Sequence, residues 1–461
     1  MKKDHTAEGG MNRRRFLKVI GATAAATALA PVAKAPAQMK GLTLRTVIHL
    51  YPPTQALMAL LPEYEKETGV KVVFDQIPFG EGYAKQMAEL VAGGGRYDML
   101  TPWSYWSNGE IGTGQLEVLD DYIAKAGAAL DFPDFISVQR DLFKYGGHQY
   151  GVPISSQTHY HVYRKDIYTA AGVTPPKDGA FAIDAFEATV KKLHMYQKDV
   201  FGVVWAFKPL GACFMDWSGL FHSADGHYFD EKLNPTLNSP TGVLCAEWMK
   251  SMLQYMPPDV LSYGNQERDE TYQRGLSVHQ ITLPLSRVPA IFDPQRSRVQ
   301  DKSTFTTVPF KGIGGVTKFE IAPSFDEGWA FVINKKSKYK KEAFDFIIWA
   351  SKKERQRRMA LEATIAPART SLYADKDIRE KHAWLTVAER QFKANEMAKK
   401  TYPKLPEFGE MTEIMGGELL AAFAGQYTVK QALDRANGAI ATLLKERGYK
   451  VGSHTGKMPW E

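Results

Sequence analysis

Between residues 42 and 101 the sequence alternates apolar runs with helix-period segments, and no other feature restricts the fold as tightly. Residues 42–50 form an apolar, β-branched run that reads as a buried strand and stops at Tyr51-Pro52-Pro53. Thr54 then opens a helix with Leu57, Leu60, Leu61 and Tyr64 at helical spacing, and Gly69 ends it. The pattern repeats with a strand over 70–76, a helix over 81–92 stopped by Gly93–Gly95, and a third strand over 97–101. Right-handed crossovers make such strands parallel and bring their carboxyl ends to one edge of the sheet. The fold class is therefore α/β. Ligands of open α/β sheets bind beyond those carboxyl ends, and the residues that follow these strands are Tyr51, Phe79, Trp103, Tyr105 and Trp106.

A second landmark lies at 145–166. Gly146-Gly147 supplies the positive-φ positions of a tight turn, and alternation around Tyr150 and Val152, then around Tyr160, Val162 and Tyr163, reads as strand on both sides of Pro153. A proline there interrupts ladder pairing and lets the following side chains face a cleft. The segment reads as a crossing between two lobes. A chain of 461 residues has ample length for a bilobal body, and 44% apolar with 24% charged residues is an ordinary globular balance.

The formal charge of +7 comes largely from the first 37 residues, which hold seven of the 58 basic residues and two of the 51 acidic ones; the remainder carries 51 against 49. So balanced a surface offers no electrostatic footprint for nucleic acid. Asn12-Arg13-Arg14-Arg15-Phe16-Leu17-Lys18, the alanine-rich run after it and Ala35-Pro36-Ala37 read as a twin-arginine signal peptide over 1–37, with cleavage before Gln38. The apolar run is shorter than the ~20 residues a membrane span needs. A periplasmic location is expected. Cys213 and Cys245 match no zinc pattern, and in an oxidising compartment they permit either one disulfide or two buried thiols. His159 and His161 share a strand face, but a metal site needs a third ligand such as His148. No metal or cofactor is expected. The glycine-rich stretches 109–114 and 312–317 fit no nucleotide-binding loop.

Several stretches in order resemble the extracellular solute-binding proteins of bacterial ABC importers, the group that includes the maltose-binding protein. They are Tyr97-Asp98-Met99 with Trp103, Tyr150-Gly151-Val152-Pro153 with Tyr163-Arg164-Lys165-Asp166, and Phe229-Asp230 with Leu237-Asn238-Ser239-Pro240. Gly328-Trp329-Ala330, Ala343-Phe344-Asp345-Phe346-Ile347 and Ala366-Pro367-Ala368-Arg369 complete the series. The resemblance implies a two-lobed periplasmic-binding-protein (Venus flytrap) fold with three hinge crossings, in which a solute draws the lobes shut. The expected division is 38–153 with 285–325 in the first lobe, 158–281 with 330–461 in the second, and crossings at 154–157, 282–284 and 326–329. It further implies a monomeric, non-enzymatic protein that delivers a small solute to inner-membrane ABC permease subunits.

A sugar or polyol presents C–H faces and hydroxyls, so its pocket needs aromatic platforms together with carboxyl, amide or guanidinium partners. The candidate ligand-binding residues are Tyr51, Trp103, Tyr105, Gln157, His159, Tyr160, Trp217, Trp329 and Arg369, with Asp326 and Glu327 either lining the site or solvating a loop. The aromatic content, nine Trp and 21 Tyr, favours a sugar, oligosaccharide or polyol. A polyamine, amino acid, phosphorylated polyol or metal chelate is the alternative on the same fold, and a twin-arginine-exported cofactor enzyme the alternative to it.

Overall fold

The computed structural model describes residues 41–460 apart from 50, 79–80, 177–178, 209 and 400–401. The proposed signal peptide and Phe79 of the aromatic rim lie outside the described residues. Strand β1 (Thr43–His49), helix α1 (Pro52–Thr68), β2 (Lys71–Ile77), α2 (Gly82–Val91), β3 (Met99–Leu100) and α3 (Ser104–Gly112) follow the expected alternation. Both β2 and β3 pair with β1 in parallel. Pro52 and Pro53 fall in the first turn of α1, where a missing N–H costs no helical bond. The Thr54 hydroxyl accepts from the Tyr51 N–H at 3.1 Å and donates to the His49 carbonyl at 2.6 Å, which locks the strand end to the helix start. Gly69 ends α1 at φ 73°, in the left-handed region.

Past the short helix α4 (Ser137–Asp141) and a hairpin pairing Tyr145 with His148, the chain forms β4 (Gly151–Pro153) and then β5 (His159–Arg164). Helix α5 (Ile183–Leu193), β6 (Phe201–Val204), α6 (Leu210–Ser223), α7 (Pro240–Met252), α8 (Asn265–Gln273), β7 (Ser277–Pro284) and β8 (Ser303–Thr306) come next. The chain finishes with β9 (Ala330–Ile333), α9 (Lys340–Ser351), α10 (Lys353–Ala363), α11 (Trp384–Ala398), α12 (Phe408–Phe423) and α13 (Val429–Glu446). Two main sheets result, with strand orders β2-β1-β3-β9-β4 and β8-β5-β7-β6.

Sheet membership corrects the expected division of the chain. Residues 303–306 pair with β5 in the second sheet, whereas 330–333 pair with β3 and β4 in the first. The segment 285–325 therefore belongs with the second lobe, and β9, α9 and α10 with the first. Residues 282–284 are not a crossing. Pro284 ends β7 opposite His159, and the chain turns at Leu285–Arg287 without leaving the second lobe. A proline can end a strand, but the partner of the next strand, remote in sequence, decides which body the chain joins.

The first crossing, expected at 154–157, runs over 154–158. The return at 325–329 runs beside it: the Ile154 N–H donates to the Trp329 carbonyl at 2.9 Å, and Thr158 bridges Asp326 in antiparallel fashion. The third passage follows Arg369, where the chain leaves α10 for α11, packed on β5 and β8.

Both cysteines are buried free thiols, which decides between the two alternatives the sequence left open. His161 Nε2 lies 2.9 Å from His279 Nδ1 in an aromatic box containing Phe181, Phe186 and Tyr163. Burial holds His279 down at about 3 and His161 well below its usual value, with the neighbouring imidazole adding to the shift in His161. Between pH 6.5 and 3 the unfolded chain binds protons that these folded imidazoles refuse, so their contribution to stability is present above 6.5 and lost as pH falls, by about 1.4 kcal/mol per pH unit for each group. Thermal unfolding at pH 7.5 and 5.0 is expected to show a smaller acid-induced drop for His279→Gln than for the unsubstituted protein; an identical drop rules out the pair as a source of acid lability.

Candidate functional site

The first lobe contributes an aromatic wall. β1 ends at His49, with Tyr51 just beyond it; Trp103 caps α3; and Trp329 immediately precedes β9. The Trp103 and Trp329 rings lie nearly parallel, 18° apart in plane and 6.0 Å between centroids. His49 and Tyr51 approach Trp329 at 4.4 and 5.2 Å, and Trp106 stands edge-on to both indoles. His49 lies so close over Gly82 that a Cβ there would come within 1.6 Å of its ring, so α2 must begin with glycine at this point.

Glu327 joins that wall to the second lobe. One carboxyl oxygen accepts from Trp103 Nε1 at 2.7 Å, and the other lies 3.4 Å from His159 Nε2. Burial pushes Glu327 up to about 7, opposed by hydrogen bonds from Trp103 and Gln157 and by the charges of Arg287 and Arg268. His159, its ring tilted against Phe325 at 4.1 Å between centroids, is pushed down to about 3 by burial and by the Arg268 charge. The imidazole is therefore neutral at pH 7, and its contact with Glu327 is polar and not an ion pair.

The opposing wall is charged. Asp216, the sole acid of α6, is buried against Thr282 and Trp205, and burial pushes it up to about 8 despite the nearby Arg268 charge. Thr282 sits at φ 53° inside β7. A β-branched residue in the left-handed region is strained by about 1–3 kcal/mol, and such strain clusters at ligand sites. Arg268 is almost wholly buried; its Nε and Nη2 donate to one oxygen of Asp269 at 3.0 and 2.9 Å, and Gln280 Nε2 reaches the same oxygen at 2.7 Å. The positive charge of Arg268 acts on His159, Asp216 and Glu327 alike.

Of the residues singled out from the sequence, Tyr51, Trp103, Gln157, His159 and Trp329 come together here. Gln157 also ties the crossing to the end of β7, donating to Ser286 Oγ at 2.8 Å and accepting from the Ser286 N–H at 2.9 Å. Tyr105 lies instead in a stack with Tyr402 and Phe408 where α3 meets α12 of the other lobe. Three candidates are elsewhere. Tyr160 points from the opposite face of β5 into the core beside Phe305, as strand alternation requires once His159 faces the site. Trp217 is core, stacked on Phe221 and donating to the Gly242 carbonyl, because one helical step turns it away from the direction of Asp216. Arg369 braces the first lobe, bonding the carbonyls of Leu130, Asp131 and Ser351 and pairing with Asp134.

His148 pairs with Asp120 on the surface, far from the partners of His159 and His161, so the three histidines do not converge. Asp75 bonds Lys85 and Tyr97, and Asp98 bonds Ser337, which leaves neither facing the solute wall. Asp326 points the other way from Glu327, toward Asn395 at 2.8 Å, and borders a cavity of about 350 Å³ between α4 and α11. The sequence did not single out Asp216, Arg268 and Thr282. A lone acid in the apolar α6 is a signal for the first, whereas α8 reads as a solvated polar helix and hides Arg268.

Residues 51–357 match the family model of the bacterial extracellular solute-binding proteins. The chain belongs to that family. It is 25% identical over 424 residues to a probable amino-acid ABC transporter periplasmic-binding protein of Sinorhizobium fredii, covering 90% of this chain and 93% of that one. It is 24% identical over 390 residues to a mannitol-binding protein of Pseudomonas aeruginosa, covering 78% and 83% respectively. A crystal structure of an ABC transporter solute-binding protein from Agrobacterium radiobacter in complex with ribitol superposes with a TM-score of 0.78 at 25% identity, covering 88% of this chain and 99% of that one. The two-lobed fold and the role of solute-binding component of an ABC transporter follow. No helix among the described residues is long and apolar enough to cross a membrane, and extracellular solute-binding proteins of this family are periplasmic.

Two tests address the geometry. Tryptophan emission is expected to titrate with a midpoint near pH 7 as Glu327 ionises beside Trp103; the transition should vanish in Glu327→Gln, and its persistence would assign it to another group. Arg369→Ala removes the charge partner of Asp134 and the buried donors to the Leu130, Asp131 and Ser351 carbonyls, so urea unfolding should show a loss of about 3–5 kcal/mol; a loss below about 1 kcal/mol would remove its bracing role.

Proposed function

We propose that the protein captures a small, neutral, hydroxyl-rich solute, a sugar or sugar alcohol, between the aromatic wall and the charged wall. The carrying observation is the 2.7 Å bond from Trp103 Nε1 to Glu327 beside the parallel Trp329 ring. It places an indole face next to a carboxyl, the pairing that a polyol's C–H surface and hydroxyls require. The likeness to mannitol- and ribitol-binding proteins supports this class. A polyamine is disfavoured, because Arg268 places a buried positive charge in the wall that would have to receive it.

A second reading rests on a specific observation. Arg268 and Asp216 lie in one wall, as partners for the carboxylate and ammonium of an amino acid, the solute class named for the Sinorhizobium relative. In either case the protein acts by binding and not by catalysis. It works as a monomer in the periplasm, reached by the twin-arginine route, and hands its solute to inner-membrane ABC permease subunits.

A thermal-shift screen of pentitols, hexitols, the corresponding sugars, amino acids and polyamines tests this. A solute at 100 times its dissociation constant stabilises the fold by about 2.7 kcal/mol, and a shift from amino acids alone would replace the first reading with the second. Calorimetric titration of Trp103→Ala with the best solute should show a loss of about 1–3 kcal/mol; unchanged affinity would remove Trp103 from the site.

A further inference from the structure

The charged wall contains one group whose hydrogen-bonding capacity the fold leaves partly unused. Arg268 is nearly all buried, yet among the described residues only its Nε and Nη2 have partners, both on a single Asp269 oxygen. Asp269 is itself fixed by Gln280 Nε2 on that oxygen and by Arg287 Nη1 at 3.6 Å from the other. The guanidinium is thus held from behind, in one plane, with Nη1 free of protein partners. A flexible Lys ammonium cannot reproduce a fixed planar fork.

Beside it, the Asp216 carboxyl rises from an otherwise apolar helix and meets Thr282, whose strained backbone is fixed within β7. That conformation lies where the end of β7 meets the Asp216 carboxyl.

We propose that Arg268 and Asp216 are the specificity-determining pair of the second lobe, reading two adjacent hydroxyls of the solute. The guanidinium donates to one solute oxygen, and the carboxyl accepts from the neighbouring hydroxyl. Asp269 and Gln280 are positioning residues that act through Arg268. This rests on the proposed sugar or sugar-alcohol reading and deepens it: the solute carries a vicinal diol where it meets the second lobe, and loss of either hydroxyl leaves a buried donor or acceptor unpaired. A site built to hydrogen-bond a hydroxyl rejects the analogue that lacks it far more strongly than an apolar pocket rejects a change of size.

The test uses the full-length mature protein, the tightest-binding member of a panel of pentitols, hexitols and aldoses, and the deoxy analogues of that solute. Calorimetry on the unsubstituted protein should show one pair of adjacent positions where removing a hydroxyl weakens binding about tenfold or more. In Arg268→Lys the parent solute should bind about tenfold more weakly, while the deoxy analogue at one of those positions loses little further. A purely structural arginine would instead weaken all solutes equally and leave the discrimination intact, which overturns the proposal. Asp216→Asn keeps the side chain's shape, should act on the adjacent hydroxyl, and carries the same test if Arg268→Lys does not fold. If no hydroxylated solute shifts the melting temperature of the unsubstituted protein, the site reading fails and the pair with it. If such a solute binds and both variants retain parent affinity within about twofold with unchanged discrimination, only the pair is refuted.

Discussion

Two extended segments, 154–158 and 325–329, lie side by side between the sheets, held by the Ile154 N–H on the Trp329 carbonyl and by the Thr158–Asp326 bridge. The rest of the structure depends on that pairing. It brings Gln157 and His159 on one segment into register with Phe325, Glu327 and Trp329 on the other, residues about 170 positions apart in sequence. The aromatic wall and the charged wall belong to different lobes, and these two segments connect them. Pairing also fixes direction: consecutive side chains of an extended segment alternate, so Glu327 meets Trp103 while Asp326 meets Asn395.

The buried groups between the lobes are ones that water would ordinarily claim. Burying a carboxyl favours its neutral form, and both Asp216 and Glu327 are shifted in that direction, while His159 is shifted toward neutral imidazole. Arg268 is paired with Asp269 behind it. The groups beside the indole faces are thus neutral or internally compensated. Burying such a set without a hydrogen-bond partner is costly, because each unmet donor or acceptor forfeits about 1–3 kcal/mol.

Much of the first lobe was legible in sequence. Strand-helix alternation from 42 to 101 gives the parallel order β2-β1-β3, and the rule that ligands gather at strand carboxyl ends finds Tyr51 and Trp103. Local signals go no further than local geometry. The pairing of β8 with β5 and of β9 with β3 depends on contacts far apart in the chain, so 285–325 and 330–333 were assigned to the wrong lobes. A phase of one residue separates Tyr160 and Trp217 from the groups between the lobes: their immediate neighbours His159 and Asp216 lie near Glu327 and the Arg268 charge. Arg369 illustrates a different limit, since a guanidinium suited to a solute is equally suited to a ring of backbone carbonyls.

The stack of Tyr105 on Tyr402 and Phe408 joins the lobes through nearly complete burial of three rings contributed from both sides. Separating the lobes must wet that surface. Exposing apolar area raises heat capacity, so opening and closing of this protein carry a thermal signature apart from that of the solute. Over the physiological range, where apolar association strengthens on warming, the stack biases the molecule toward its shut form as temperature rises.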